Sequence, residues 1–433
     1  MPAVIQSYGN EKPSRILIIS PYFVPTANSE AFCGGKVVLG LLKRHCQVAV
    51  LTLSPDQSPG YLGRRDESKY WDLLKGYTYQ FPASPKTSKL YAIDSALRYK
   101  TLAYARWIAA VIEKSQMLHA ANKFDIVYSR SLPMVAHIAG FWLSKYLGIP
   151  WIANINDPWD WHHIPLLEKK KASLYQCVSQ SVSNYWLRRT IENADLVTYP
   201  SDRLWKFHEK ISGIHHRAEV LAHIGYGREV TPDREVFTIV HAGVLGLDTG
   251  LRRSPLPILQ ALKIVQNRIP ETNGKLRVFF IGGEEAGIRS LVKEYELDQM
   301  VKCTGMLHYE ESLKCIASAH LCLLLEMEMD EGIYLPSKLA DYVTAGKPVL
   351  AVSPKDGVLS DLSRTSGIFR VDSDDPKAIG DAIIRYYNAF KNNELESYAP
   401  SKDLRLKFDE ENVVGTFLDL ASRLRNLRPV GAS

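Results

Sequence analysis

The chain has 433 residues, 46% hydrophobic and 23% charged, with a formal net charge of +6, enough apolar material for two or three domains and too ordered a composition for a disordered protein. No apolar run reaches the ~18 residues that cross a bilayer, the opening MPAVIQSYGNEKPSRIL lacks the basic-then-apolar order of a secretory signal, and six cysteines show no metal-ligand spacing, so reduced thiols in a cytoplasmic protein are expected. Residues 1–235 carry 29 Lys and Arg against 20 Asp and Glu, the remainder 24 against 27; the basic half is either a solvated face or a surface for an anionic acceptor or the inner face of a membrane.

Arg15–Ser20 reads as a buried strand, followed by a loop bearing proline and glycine, a helical run Lys36–Arg44 and a second strand Gln47–Leu53. Asp125–Ser129, Pro150–Asn154 and Leu196–Tyr199 continue the series, with amphipathic helices between them. Gly225–Glu235 is polar and rich in turn formers, a linker candidate. The pattern then restarts with Phe237–Gly243, Leu276–Gly282, Val301–Thr304, His320–Leu325 and Pro348–Val352, alternating with helices such as Pro255–Gln266 and Glu310–Ala319. Short apolar strands alternating with helices predict parallel sheets covered on both faces. The expectation is two doubly wound, Rossmann-like α/β domains, residues 1–226 and 237–408, and a final helix within 409–433. Ligand belongs in the cleft facing the strand C-termini.

The most informative segment is Tyr334-Leu335-Pro336-Ser337-Lys338-Leu-Ala-Asp341, which runs on to Gly346 and Pro348. Pro336 starts a helix whose free N–H groups attract an anion, Ser337 and Lys338 add a hydroxyl and a cation, and Asp341 shares their face at i+3 from Lys338. An ordinary capped helix with a surface lysine and aspartate explains the same residues. Gly34 and Gly35, before Lys36, fit either a loop that lets a ligand approach the backbone or a strand–helix turn. Gly243 ends the first strand of the second domain, and Arg253 stands before its first helix, where a guanidinium can grip phosphate bidentately. Asp372-Ser-Asp374 precedes Pro376 and reads as helix capping rather than a metal site. The chain lacks GxxxxGK[ST], GxGxxG after its first strand, HExxH and GxSxG, which disfavours P-loop ATPases, simple dinucleotide dehydrogenases and α/β-hydrolases. No nucleic-acid-binding motif accompanies the basic charge.

Taken together, Ile16–Lys36, Asp125–Asp157, Phe237–Val265 and above all Val301–Val352 resemble glycosyltransferase family 4, the retaining nucleotide-sugar transferases of GT-B fold. The resemblance implies Arg253 and Lys338 on the donor diphosphate and Asp341, in place of the usual glutamate, on the ribose. A second family glutamate falls at Ile333, with Glu331 close by. Two family histidine positions fall at Arg130 and Asn156, so Arg130 and Asp157 are expected to orient the sugar or acceptor. The backbone of Gly332 to Leu335 would read sugar hydroxyls, with Gly34 and Gly35 beside the diphosphate. The implied activity is transfer of a hexose from a nucleoside diphosphate, uridine-based by expectation, to a carbohydrate or lipid-linked acceptor in polysaccharide or glycoconjugate synthesis. No metal is required on this reading, because side-chain cations compensate the leaving group. A nucleotide-sugar epimerase and a non-catalytic subunit of the same fold are the rivals. Basic residues Lys169–Lys171, Arg188 and Arg189 permit peripheral membrane contact.

Overall fold

A computed structural model describes residues 14–55, 64–89, 92–93, 102–159, 174–228, 230–246, 253–282, 285–364 and 367–427; the predicted basic run Lys169–Lys171 lies outside them, as do Arg252, Gly283 and Glu284. The first sheet contains β1 (Arg15–Ile19), β2 (Gln47–Leu53), β3 (Thr78–Phe81), β4 (Ile126–Arg130), β5 (Trp151–Asn154), β6 (Leu196–Tyr199) and β7 (Ala218–Val220). Its order is β3-β2-β1-β4-β5-β6-β7, parallel throughout. β1 and β4 are buried along nearly their whole length, as strands covered on both faces must be.

The second sheet contains β8 (Phe237–Ala242), β9 (Leu276–Ile281), β10 (Val301–Gly305) and β11 (Leu321–Leu325). After β12 (Glu331–Gly332) come β13 (Val349–Val352), β14 (Asp356–Gly357) and β15 (Ile368–Val371). The sheet order is β10-β9-β8-β11-β13-β15, again parallel, while β12 and β14 form a separate two-residue ladder. Each domain therefore reverses strand order beside its first strand, between β1 and β4 and between β8 and β11. A doubly wound sheet opens its ligand crevice at that reversal, outside the strand C-termini.

The closing helix, Glu410–Leu427, crosses back to the first domain and packs on the helix Ser29–Lys43. The fit is close: a Cβ on Gly40 would lie 2.6 Å from Val414, and the Phe417 ring meets Tyr128 at 4.7 Å. The predicted linker is not a free tether. A Cβ on Gly225 would fall 2.1 Å from the Ala340 carbonyl oxygen, and one on Gly227 2.4 Å from that of Thr344, so the strap lies flat against the helix Ser337–Thr344. Its glycines serve close packing.

Further contacts clasp the domains together. Asp66 accepts hydrogen bonds from the Tyr309 amide (2.6 Å) and Trp71 Nε1 (2.8 Å), and the Phe32 ring lies 5.7 Å from Trp71 and 5.0 Å from Tyr309. Arg203 of the first domain donates to Asp361 (2.9 Å) and Glu331 (2.7 Å) of the second.

Candidate functional site

The helix Ser337–Thr344 begins where proline chemistry places it: Pro336 is its extended N-cap residue (φ −62°, ψ 122°), Ser337 is the first helical residue, and Gly346 turns the chain out with φ +71°. Lys338 Nζ is buried and has no hydrogen-bond partner. Gly243, just past β8, makes its space. With φ +145°, it occupies backbone territory closed to other residues, and a Cβ there would fall 2.0 Å from Lys338 Nζ. Burial, then the nearby charge of Arg253, pushes the Lys338 ammonium well below its ordinary range. A buried ammonium beside a guanidinium, with no acid bonded to it, is a site shaped for an anion.

His241, on β8 and fully buried, places Nδ1 3.0 Å from the Leu323 carbonyl oxygen, an arrangement that puts the ring proton on Nδ1 and leaves Nε2 without a partner. Burial and then Lys338 hold this imidazole well below the usual histidine range, hence neutral. Arg253 acts electrostatically on Asp157, His241, Glu326, Tyr334 and Lys338, which places it amid groups from both domains.

On the facing domain, Glu30 accepts from Arg130 Nη2 (3.0 Å) and from Asn156 Nδ2 (3.0 and 2.9 Å), and Arg130 Nη1 donates to the Tyr128 hydroxyl (3.0 Å). This network fixes the end of β5, where Asp157 follows. Burial raises the Asp157 carboxyl to about 6, with His223 and Arg253 pulling the other way. His223 is itself buried and held down to about 4, chiefly by desolvation.

Several expected roles change. Gly34 and Gly35 do not form a ligand loop. They lie buried inside the helix Ser29–Lys43, which starts seven residues before Lys36 because Asn28 Oδ1 caps it at the Ala31 amide (2.8 Å). A Cβ on Gly35 would sit 2.9 Å from the Trp71 ring and one on Gly34 3.3 Å from Phe23, so both glycines serve packing. Arg130 is 3% exposed and committed to Glu30 and Tyr128. Asp341 Oδ1 accepts from Lys36 Nζ (2.7 Å), the Tyr226 amide (2.9 Å) and the Tyr309 hydroxyl (3.0 Å), a role between domains that the sequence did not suggest. Glu331 is held by Arg203, while Ile333 and Leu335 are buried in apolar clusters. Tyr334 is half-buried and Gly332 sits in the β12 ladder. The helix after Asp372-Ser-Asp374 is capped by neither of those acids but by Asp375, at the Ala378 amide (2.8 Å), while Asp372 pairs with Arg370 (2.8 Å). Sequence reading missed Glu326, whose only signal was an acid closing the apolar run of β11.

No family model matches the chain, and no curated protein resembles it in sequence. Solved structures do. Anabaena HepE in complex with UDP and glucose superposes with a TM-score of 0.64 at 14% identity, covering 95% of this chain and 100% of that one. Sucrose-phosphate synthase of Thermosynechococcus elongatus gives 0.65 at 15%, covering 96% and 100%. The fold is GT-B. A UDP-N-acetylglucosamine 2-epimerase gives 0.55 at 12% identity, covering 98% and 99%, so a synthase and an epimerase share the likeness. At such identities the agreement establishes the GT-B architecture alone. In this GT-B chain Arg253 acts on Lys338 and His241 of its own domain and on Asp157 of the other.

Proposed function

We propose that the protein is a retaining glycosyltransferase of the family-4 type, moving a hexose from a uridine diphosphate sugar to a hydroxyl of a carbohydrate or lipid-linked acceptor. The observation that carries this reading is Lys338 Nζ: a buried cation without a partner, at the strand-order reversal of the second sheet, in a space that Gly243 keeps open. The likeness to a structure holding UDP and glucose agrees with a nucleotide-sugar ligand.

In the proposed reaction the bond from the sugar's anomeric carbon to the diphosphate oxygen breaks, and a bond from the acceptor oxygen forms on the same face. The acceptor proton passes to the departing diphosphate. Lys338 and Arg253 stabilise the charge that accumulates there, and fixed cations act most strongly at that moment. No metal ion is needed in this scheme. Asp157 orients the sugar or acceptor, with Arg130 and Asn156 holding its loop through Glu30. The setting is cytoplasmic, with any membrane contact peripheral; among the described residues no helix is long and apolar enough to cross a bilayer.

A non-catalytic subunit is the second reading, favoured by the commitment of Asp341 and Glu331 to contacts between domains. Purified protein incubated with a panel of nucleotide sugars, with and without acceptor extract, separates the possibilities. Nucleoside diphosphate released only with acceptor supports transfer; consumption of donor without acceptor indicates an epimerase; binding without turnover indicates a subunit. Transfer that survives in Lys338→Ala and Arg253→Ala within a few-fold of wild type contradicts the assigned site.

A further inference from the structure

Glu326 directly follows β11, and its amide donates to the Val352 carbonyl (3.0 Å), so the ladder with β13 continues one residue beyond the strand. The side chain is 6% exposed within the electrostatic reach of Arg253, and neither carboxyl oxygen has a hydrogen-bond partner. A Cβ on Gly332 would lie 3.0 Å from both oxygens, so glycine in the β12 ladder preserves the space around them. That ladder is itself tight: a Cβ on Gly357 would fall 2.6 Å from the Gly332 carbonyl oxygen.

An acid buried without partners is destabilising, and a glutamine or leucine would fill the position at lower cost. Lys338 Nζ is equally unpartnered, and both side chains lie within the electrostatic reach of Arg253. A carboxyl and an amine that are each within reach of Arg253 and do not bond to each other leave room for a third body, with acceptors for the amine and hydroxyl groups for the acid. Burial lifts the Glu326 carboxyl to about 8, against the pull of Arg253, so near neutrality it offers an O–H donor as well as an acceptor. Neighbouring sugar hydroxyls offer the same pairing in reverse.

We propose that Glu326 is a sugar-reading residue whose two carboxyl oxygens hydrogen-bond adjacent hydroxyls of the hexose carried by the nucleotide donor. The inference rests on the nucleotide-sugar reading and deepens it. Lys338 holds the diphosphate end, and Glu326 selects what is attached.

The test is calorimetric titration of the full chain with UDP, UDP-glucose, UDP-galactose and UDP-N-acetylglucosamine, in wild type, Glu326→Gln and Glu326→Leu. Wild type is expected to bind one UDP-sugar at least about 10-fold more tightly than UDP, as sites that hydrogen-bond substrate hydroxyls do. Glu326→Leu removes that increment, Glu326→Gln restores part of it, and UDP affinity stays within about 2-fold in all three. A higher melting temperature for Glu326→Leu at pH 8 shows that the variant is folded. An unchanged sugar increment in Glu326→Leu overturns the proposal, as does a wild type that binds every UDP-sugar no better than UDP. Failure of wild type to bind UDP at all instead removes the nucleotide-sugar reading beneath it.

Discussion

Lys36 Nζ lies 2.7 Å from Asp341 Oδ1, 305 positions away in the chain, with side chains only 2% and 8% exposed. The same ammonium donates to the Ile224 carbonyl (2.9 Å) and sits over the Tyr309 ring at 5.0 Å. The pair joins the first helix of one domain to the Lys338 helix of the other. Removing one member of a buried, hydrogen-bonded ion pair strands the other charge, and about 3–5 kcal/mol is lost. Lys36→Met and Asp341→Leu are each expected to lower unfolding stability by that amount in denaturant titrations, while the double variant loses less than either. A ribose ligand with no structural role would behave differently: Asp341→Leu would weaken UDP binding and leave unfolding unchanged.

Lys338→Met is expected to move function and stability in opposite directions. Donor turnover falls about 10²–10³-fold, the usual effect of losing one fixed charge-stabilising group. The unliganded protein gains about 1–3 kcal/mol, because a buried cation without a partner disappears. Steady-state kinetics and thermal melting on the same preparation check both.

Proton linkage gives a third prediction. Lys338 is held well below its ordinary range by burial and then by Arg253, and an arriving diphosphate favours the charged form. UDP binding at pH 8 should therefore take up protons, up to one per site. Titrations in two buffers of different ionisation heat measure this, and the uptake should vanish in Lys338→Met.

Asp157 sets a pH limb. Its carboxyl is raised from 3.8 to about 6, so kcat/KM should climb as pH passes through about 6 and the working carboxylate forms. The stability sign is opposite. A raised folded-state pKa favours the protonated native form below pH 3.8, and that contribution is lost as pH rises through about 6. Asp157→Asn should flatten the kinetic limb and raise the melting temperature more at pH 8 than at pH 4.

Gly35→Ala separates packing from binding. With Trp71 2.9 Å from the new Cβ, overpacking should cost about 1–3 kcal/mol, while UDP affinity stays unchanged.

The sheets were legible because β1, β4, β8 and β11 are apolar runs bounded by turn residues. The short edge strands β3, β7 and β15 were not: they are only partly buried, and their pairing depends on a neighbour far away in sequence. The Pro336–Lys338 helix start was legible for a local reason, since proline and the free amides belong to one turn. The partners of Asp341 and Glu331 were hidden because Lys36 and Arg203 come from the other domain. Glycine proved ambiguous in the same way. Gly243 makes room for a cation, whereas Gly34 and Gly35 make room for aromatic rings, and only tertiary packing distinguishes the two uses.

The most direct measurement is calorimetric titration of UDP into wild type and Lys338→Met at pH 7. Saturable binding to wild type, weakened about 100-fold or more in the variant, is the predicted result. Equal binding to both proteins, or none to wild type, would contradict the donor site.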